Sequence, residues 1–302
     1  MQEHLLKLDR KEKKLEFWRT ISGSLLFVAL TLIFYGMIFY FFSIYIPNSF
    51  LLNQKIVVIL LFGSFIIWHL TLFLVVSVLH KRPYLSLMGT NKNLNWNQFW
   101  FAVFLTITIS FLGLAIAPLE SILFDEVHLP RIEISLLKDW IPWVLPACIV
   151  IFIQVSAEEM FFRGYLLQQL KGRFNSFWIW AIFPSILFGI AHYDFDTFGN
   201  NTFFYVLNAF IFGVLASIIT NQSNNIGYAL GMHFVNNIFG ILFFGIGDNL
   251  SHLSLVKYYF DETGIYMTYI IICQTSFQII TFLILFNWLN RNKNEKNSEK
   301  IT

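Results

Sequence analysis

The acidic and basic residues of one apolar stretch are the first candidates for chemistry. The segment that begins Ser156-Ala-Glu-Glu places Glu158, Glu159 and Arg163 inside a long run of apolar residues. In a helix, Glu159 and Arg163 lie four residues apart on one face, in the order that favours an ion pair. Glu158 lies about 100° around the helix from Glu159 and has no basic residue at i+3 or i+4. The sequence therefore predicts one carboxylate that is neutralised locally and a second that is left free.

A purely structural role is the simplest alternative for these charged residues. Buried polar pairs can fix the register of helices in lipid, and this interpretation accounts for Glu159 and Arg163. It leaves Glu158 as a second buried acid that needs a partner from another part of the protein.

Two histidines in other apolar stretches could provide that partner. His192 ends the stretch FGIAH, and His233 begins the stretch HFVNN, in which Asn237 shares its helix face. Taken alone, each histidine is more often an interhelical hydrogen-bonding residue than a catalyst. Taken together, they could supply what a free buried Glu158 needs. His69 has no such companions and is interpreted as a packing or interfacial residue.

The composition identifies the solvent of this chain. Of its 302 residues, 57% are hydrophobic and only 13% are charged, whereas soluble domains carry about 25% charged residues. An ordinary soluble protein is therefore excluded. The net charge of +2, without a basic stripe, also argues against a nucleic-acid partner. Cys148 and Cys273 lie in apolar runs, which predicts buried hydrophobic residues, with neither a disulfide framework nor a cysteine metal site.

Runs of about 18 or more apolar residues predict membrane-spanning helices. The sequence predicts an all-α polytopic membrane protein whose catalytic candidates lie on the fourth, fifth and seventh of about eight spans. The predicted spans cover residues 20–45, 56–79, 97–118, 140–169, 176–193, 202–220, 226–246 and 264–289. The same boundaries give a basic N-terminal segment (1–19), a membrane-embedded domain (20–290) and a disordered tail (291–302).

The distribution of Lys and Arg predicts the orientation, because cytoplasmic loops are enriched in both. Basic residues concentrate in the N-terminal segment, the 80–96 loop, the 170–175 turn and the tail. The opposite loops carry mainly acidic residues, namely Asp125, Glu126, Asp194, Asp196, Asp248, Asp261 and Glu262. We therefore expect a multi-pass plasma-membrane protein with both termini in the cytoplasm.

Three segments together resemble a known family. The patterns Glu158-Glu159-x-x-x-Arg163, Phe188-x-x-x-His192 and His233-x-x-x-Asn237 resemble, in order, the three motifs of the CPBP (Abi) intramembrane proteases, which include the type II CAAX prenyl endopeptidases. The resemblance covers roughly residues 140–247, and the count of eight spans is also similar to that family.

The resemblance implies hydrolysis of a peptide bond inside the membrane, with Glu158 activating water. His192 would hold the same water or carry its proton. His233 and Asn237 would donate hydrogen bonds to the oxyanion, while Glu159 and Arg163 would orient the helix. The partner would be a membrane-bound peptide or protein, lipidated in a true CAAX enzyme. The composition, rich in Asn, Lys and Phe, is typical of AT-rich bacterial genomes and favours a bacterial peptide or membrane-protein processor.

A metal-dependent mechanism is the main chemical alternative. Glu158, His192 and His233 could form a zinc site with water as the fourth ligand. The sequence lacks the His-Glu-x-x-His spacing that places two ligands on one helix face, and the resemblance favours a mechanism without metal. We therefore expect no cofactor, with zinc as the alternative.

Other activities leave different signatures. Tyr193-Asp194 and Gly245-Ile-Gly247-Asp248 imitate the paired motifs of presenilin-like aspartyl proteases, but both acids fall at the outer ends of spans. A rhomboid Gly-x-Ser-Gly motif is missing. A proton-coupled transporter would need a polar path, whereas the polar residues here converge on one cluster. A non-catalytic membrane immunity or scaffold protein remains the alternative from another class.

Overall fold

The computed structural model describes residues 16–46, 53–115, 120–124, 129–246 and 251–298. Most of the predicted basic N-terminal segment lies outside this part of the chain. So do four residues used in the sequence interpretation, namely Asp125, Glu126, Gly247 and Asp248.

Eight helices of 12 or more residues follow one another in the described ranges, so the predicted all-α membrane class is confirmed. They are α1 (Phe17–Tyr45), α2 (Gln54–Leu79), α3 (Trp96–Gly113), α4 (Leu137–Arg173), α5 (Trp178–Ile190), α6 (Thr202–Ser223), α7 (Gly227–Ile238) and α8 (Ile265–Ser298). Large apolar side chains point outward along most of them, and Phe39 is 78% exposed. Such a surface fits hydrocarbon, where helices satisfy their own backbone hydrogen bonds.

Helix length does not reproduce the predicted count of eight spans. Six helices of the described chain are long and apolar enough to cross a membrane: α1, α2, α3, α4, α8, and α6 together with the short helix that begins at Phe195. The helix α7 and the π-helical segment Phe239–Phe243 that continues it have 12 and 5 residues, together about 26 Å at 1.5 Å per residue, against about 30 Å of hydrocarbon. The helix α5 is also shorter than its predicted span.

Both helices are shorter than predicted because other structure begins at their C-terminal ends. The chain turns immediately after α5, at His192. After α7, a π-helical turn over Phe239–Phe243 passes directly into a β-strand. Residues 191–193 and 244–246 therefore belong to a turn and a strand, and the predicted ranges 176–193 and 226–246 are too long.

The helix α8 extends further than the sequence predicts. It continues to Ser298, so residues 291–298, assigned above to a disordered tail, are helical. The ammonium group of Lys293 donates to the backbone oxygen of Gln222 at 2.7 Å and to its side-chain oxygen at 2.9 Å. This contact with the end of α6 provides a physical reason for the extension.

A small sheet, which the sequence did not predict, joins the N-terminal end of α4 to the C-terminal end of α7. Its strands are β1 (Arg131–Ile134), β2 (Phe244–Ile246) and β3 (Val256–Tyr259), in the order β1-β3-β2. The strand β3 pairs antiparallel with β1, which leads into α4, and parallel with β2, which follows α7. The indole nitrogen of Trp140 also donates to the backbone oxygen of Leu242 at 3.0 Å. The start of α4 and the end of α7 are thus held together.

The helix α7 packs against α3 and α4 and brings its polar residues into the interior. A side chain at Gly231 would lie only 2.6 Å from the backbone oxygen of Phe99 on α3, so this close approach requires glycine. A π-helical segment begins directly after Glu159 in α4, over Met160–Leu166, and includes Arg163. A second one follows α7, over Phe239–Phe243. Such segments are frequent at functional sites.

Candidate active site

The centre of the site is a buried ion pair within α4. The guanidinium of Arg163 donates through Nη1 to Oε1 of Glu159 at 2.9 Å, and the two side chains are 1% and 0% exposed. The ion pair predicted from the i, i+4 spacing is therefore present. His233 joins it from α7, because its Nδ1 lies 2.8 Å from the same oxygen. One carboxylate oxygen thus connects the first and third predicted motifs.

Aromatic rings complete the environment of Arg163. Its guanidinium lies 4.5 Å from the ring centre of Phe188 and 5.4 Å from that of Phe212. Its Nη2 has no hydrogen-bond partner among the residues described. Because the face of an aromatic ring attracts cations, these rings supply the buried charge with negative potential that one carboxylate oxygen cannot provide alone.

Glu158 projects into the same interior and is 7% exposed. Its Oε1 accepts a hydrogen bond from Nε2 of Gln154, one helical turn earlier, at 2.5 Å. Its Oε2 lies 3.7 Å from Nε2 of His233 and accepts no hydrogen bond within the described structure. Glu158 therefore lacks a basic partner on its own helix, as predicted, but it has a neutral one, Gln154, that the sequence interpretation missed.

The contacts of His233 determine where its protons lie. A carboxylate oxygen only accepts hydrogen bonds, so Nδ1 carries a proton that it donates to Glu159. The other ring nitrogen, Nε2, faces Glu158. Two carboxylates against one guanidinium leave one negative charge, which is costly to bury. Oε2 of Glu158 and Oε2 of Glu159 are both buried, and neither accepts a hydrogen bond from a described residue.

His192 lies at the end of α5, beside this cluster. Its Nδ1 is 2.8 Å from the backbone oxygen of Phe188, which can only accept, so Nδ1 carries a proton. In a neutral imidazole the other nitrogen, Nε2, is an acceptor. The ring of Phe188 lies 4.6 Å from the ring of His192 and 5.9 Å from that of His233, so both histidines contact the same phenyl group. Within the described ranges, no hydrogen bond joins His192 to Glu158.

Asn237 reaches Glu158 indirectly. Its Nδ2 donates to Oε1 of Gln154 at 2.8 Å, and Gln154 in turn donates to Glu158. Gln154 stands four residues before Glu158 on the same helix face. This spacing was the signal in the sequence that could have identified it.

The donor set does not match a three-ligand metal centre. In the part of the chain that the structure describes, no three His, Cys, Asp or Glu side chains are grouped as a metal ion would require. Glu158 and His233 approach each other, but His233 uses Nδ1 for Glu159. Nδ1 of His192 is used for the backbone oxygen of Phe188.

Two residues weighed in the sequence have structural contacts. Asp194 is exposed and caps a short helix, where its Oδ1 accepts from the backbone nitrogen of Thr197 at 3.0 Å. His69 connects α2 to α4, with Nδ1 2.6 Å from the hydroxyl of Tyr84 and Nε2 3.1 Å from that of Ser156. Within the described residues, neither side chain forms a hydrogen bond with the carboxylates of the cluster. Asp248, the second acid of the aspartyl-protease-like pair, lies outside the described residues.

Comparisons with known proteins agree with the motif pattern. Residues 138–239 match the family model of the Rce1-like type II CAAX prenyl endopeptidases. The chain is also 27% identical over 175 residues to the uncharacterized protein YyaK of Bacillus subtilis (strain 168). That similarity covers 56% of this chain and 55% of the relative, so it spans about half the length of each. No solved structure matches. The predicted family resemblance is confirmed, and the matched region contains all the candidate residues from Glu158 to Asn237.

Proposed function

Since residues 138–239 are similar to the Rce1-like type II CAAX prenyl endopeptidases, we propose that this chain hydrolyses a peptide bond of a membrane-associated peptide or protein, with Glu158 as the base. The observation that carries the proposal is the asymmetry of the Glu158 carboxylate. Oε1 is held by Gln154, whereas Oε2 is buried, accepts no hydrogen bond from any described residue and lies 3.7 Å from His233. Oε2 of Glu159 also accepts no hydrogen bond from a described residue, but that carboxylate is 0% exposed and paired with Arg163. Glu158 is 7% exposed and has no basic partner on its own helix, so it is the carboxylate suited to accept a proton from water.

The proposed reaction begins with this proton transfer. Water gives a proton to Oε2 of Glu158 while its oxygen bonds to the carbonyl carbon of the substrate. The carbon–nitrogen bond then breaks, and Glu158 returns the proton to the departing amine. The products are a carboxylic acid and an amine, and Glu158 ends as the carboxylate with which it began. His192 accepts the second water proton as a hydrogen bond at Nε2, which orients the attacking lone pair.

His233 is the proposed donor to the oxyanion. When Nε2 of His233 is also protonated, it can donate a hydrogen bond to the negative oxygen that forms on the substrate during attack. Glu159 fixes the ring through Nδ1 and is itself fixed by Arg163. Asn237 was expected to be a second oxyanion donor, but its Nδ2 contacts Gln154. We therefore assign it a positioning role.

The test is a comparison of membrane and secreted peptides by mass spectrometry. Cells carry the wild-type protein, Glu158→Gln or Glu133→Gln. The first variant keeps the shape of the side chain and removes the base, whereas Glu133 lies on the exposed strand β1 and is the matched control. We expect the cleavage products to fall about 10²–10⁴-fold with Glu158→Gln alone, at equal protein level. Identical peptide profiles in all three strains would overturn the protease assignment.

The same experiment tests the proposed substrate class. We propose unlipidated membrane peptides or membrane proteins, and products that end in lipidated C-terminal fragments would identify a CAAX enzyme instead. Thorough chelation of the purified protein should leave its activity intact. Loss of activity that zinc restores would replace the metal-free mechanism with a metal-dependent one.

A further inference from the structure

Five side-chain amides form a continuous hydrogen-bond chain that ends on Glu158. They come from four helices: Asn208 on α6, Gln278 on α8, Asn236 and Asn237 on α7, and Gln154 on α4. In this order, each NH₂ group donates to the next side-chain oxygen, at distances of 3.4, 3.3, 3.5, 2.8 and 2.5 Å, the last being to Oε1 of Glu158.

All hydrogen bonds of this amide chain run in the same donor-to-acceptor direction, because the last acceptor is the carboxylate of Glu158. A carboxylate accepts hydrogen bonds and cannot donate them, so Gln154 must turn its NH₂ group towards Glu158. Its oxygen then faces Asn237, which must present its own NH₂ group. The same reasoning fixes Asn236 and Gln278 in turn. The orientation of every amide, which is otherwise a free choice between two flips, thus follows from the charge at one end.

Three of the five amides are buried, and Asn236 and Asn237 are partly buried. Asn208 and Gln154 are each 5% exposed and Gln278 is 8% exposed. An amide without a partner in a membrane interior is costly, and two side contacts complete the chain. Nδ2 of Asn208 donates to the hydroxyl of Thr275 at 2.7 Å, and Nε2 of Gln274 donates to Oδ1 of Asn236 at 3.0 Å. The amide dipoles align and polarise one another towards the carboxylate.

We propose that this amide chain positions Glu158 for catalysis, with Gln154 as its contact residue; this inference rests on the proposed function. The chain holds Oε1 and so turns Oε2 towards the space beside His233, where water would be activated. Asn237, the last residue of the third motif, then acts through Gln154. The five amides are positioning residues, because none of them needs to touch the substrate.

The first test observes Glu158 itself and requires no substrate. The protein is labelled with isotopic glutamate in lipid nanodiscs, and the infrared carboxylate stretch of Glu158 is isolated by subtracting the spectrum of Glu158→Gln. We expect Gln154→Met to shift this band, because the hydrogen bond to Oε1 is lost. Gln169→Met is the matched control, since Gln169 is a buried glutamine of the same helix that contacts Thr20 instead of the chain. An unchanged band in Gln154→Met would overturn the proposal.

The second test measures cleavage of a peptide found with the wild-type protein. We expect Gln154→Met to lower kcat about 10- to 100-fold while KM changes less than about twofold, because one charge-assisted hydrogen bond is removed. Asn237→Leu should lower kcat by nearly as much, and Asn236→Leu should lower it less. A shifted band with unchanged kcat would show that the chain does not serve catalysis. If the wild-type protein cleaves nothing although the band shifts, the proposed function fails, and with it the catalytic meaning of the chain.

Discussion

Two buried polar groups meet at Glu158, and they differ in how they hold their atoms in place. One is ionic and consists of Glu159, Arg163 and His233, with two contacts to one carboxylate oxygen. The other is neutral and consists of amides that connect α6, α8, α7 and α4. The ionic group lies within one helix and its neighbour, whereas the amide group crosses much of the bundle. The ionic group therefore connects α4 to α7, whereas the amide group connects four helices to one another.

The difference has an energetic consequence. Removing one member of a buried ion pair leaves an uncompensated charge, which costs about 3–5 kcal/mol. Hydrogen bonds between membrane helices average about 0.6 kcal/mol and reach about 1.7 kcal/mol. We therefore expect the ionic group to dominate the stability of the folded protein and the amide group to affect mainly the orientation of Glu158.

The largest expected loss of stability comes from Arg163→Met. This change leaves Glu159 buried without its guanidinium and should lower the free energy of unfolding by about 3–5 kcal/mol. Thermal unfolding in detergent measures the effect. The double variant Arg163→Met with Glu159→Gln removes both charges and should recover part of the loss. If the double variant is no more stable than the single one, the loss is due to packing instead of charge.

A smaller loss is expected from Gln278→Leu in the amide group. The change removes one interhelical hydrogen bond on each side of Gln278, so it should lower the free energy of unfolding by about 1.2 kcal/mol, twice the average for one such bond. The same unfolding assay gives the value. A loss as large as that of Arg163→Met would contradict the proposed division between the two groups.

A carboxylate outside both groups should matter less still. Asp194→Ala removes the cap of a short helix, so we expect at most about 1 kcal/mol of destabilisation. Cleavage activity should stay within about twofold of wild type, because this acid is exposed and its contacts are those of a helix cap. Peptide cleavage by the purified variant checks this expectation. Loss of activity at unchanged stability would revive the aspartyl-protease alternative.

The smallest expected change is in the local stability of the loop before α8, which contains Asp261. Hydrogen bonds from the hydroxyl and backbone nitrogen of Thr263 lower the pKa of this carboxyl. A lowered pKa in the folded state stabilises the loop at neutral pH, and this contribution is lost as the pH falls through that pKa. Asp261→Asn should remove the dependence. Hydrogen exchange at Thr263, compared between the two proteins at several acidic pH values, provides the measurement, and equal pH dependence in both would contradict the assignment.

The sequence predicted the ionic group better than the amide group, for a physical reason. Charged residues are rare in lipid-facing helices, so the spacing of Glu159 and Arg163 was conspicuous. Uncharged amides are tolerated in such helices, and nothing in the local pattern connects Asn208 or Gln278 to Glu158. Their relation depends on how four helices pack, which one sequence does not reveal. Gln154 was the exception, because it stands one turn from Glu158.

The fold, too, could be predicted only where it depends on local sequence. The helical class follows from hydropathy, which is a property of local composition. The shortened helices α5 and α7 do not, because a turn and a strand interrupt stretches that remain apolar. The strand β3 pairs with β1, more than a hundred residues earlier in the sequence, as in the pairing of Arg131 with Tyr259. Local pattern cannot predict pairing over that distance.

The small sheet also restricts how the site can move. It connects the N-terminal end of α4, the helix of Glu158, to the C-terminal end of α7, the helix of His233. Two helices that are connected at one end can separate more easily at the other. We therefore expect any opening between α4 and α7 to be wider at the ends away from the sheet.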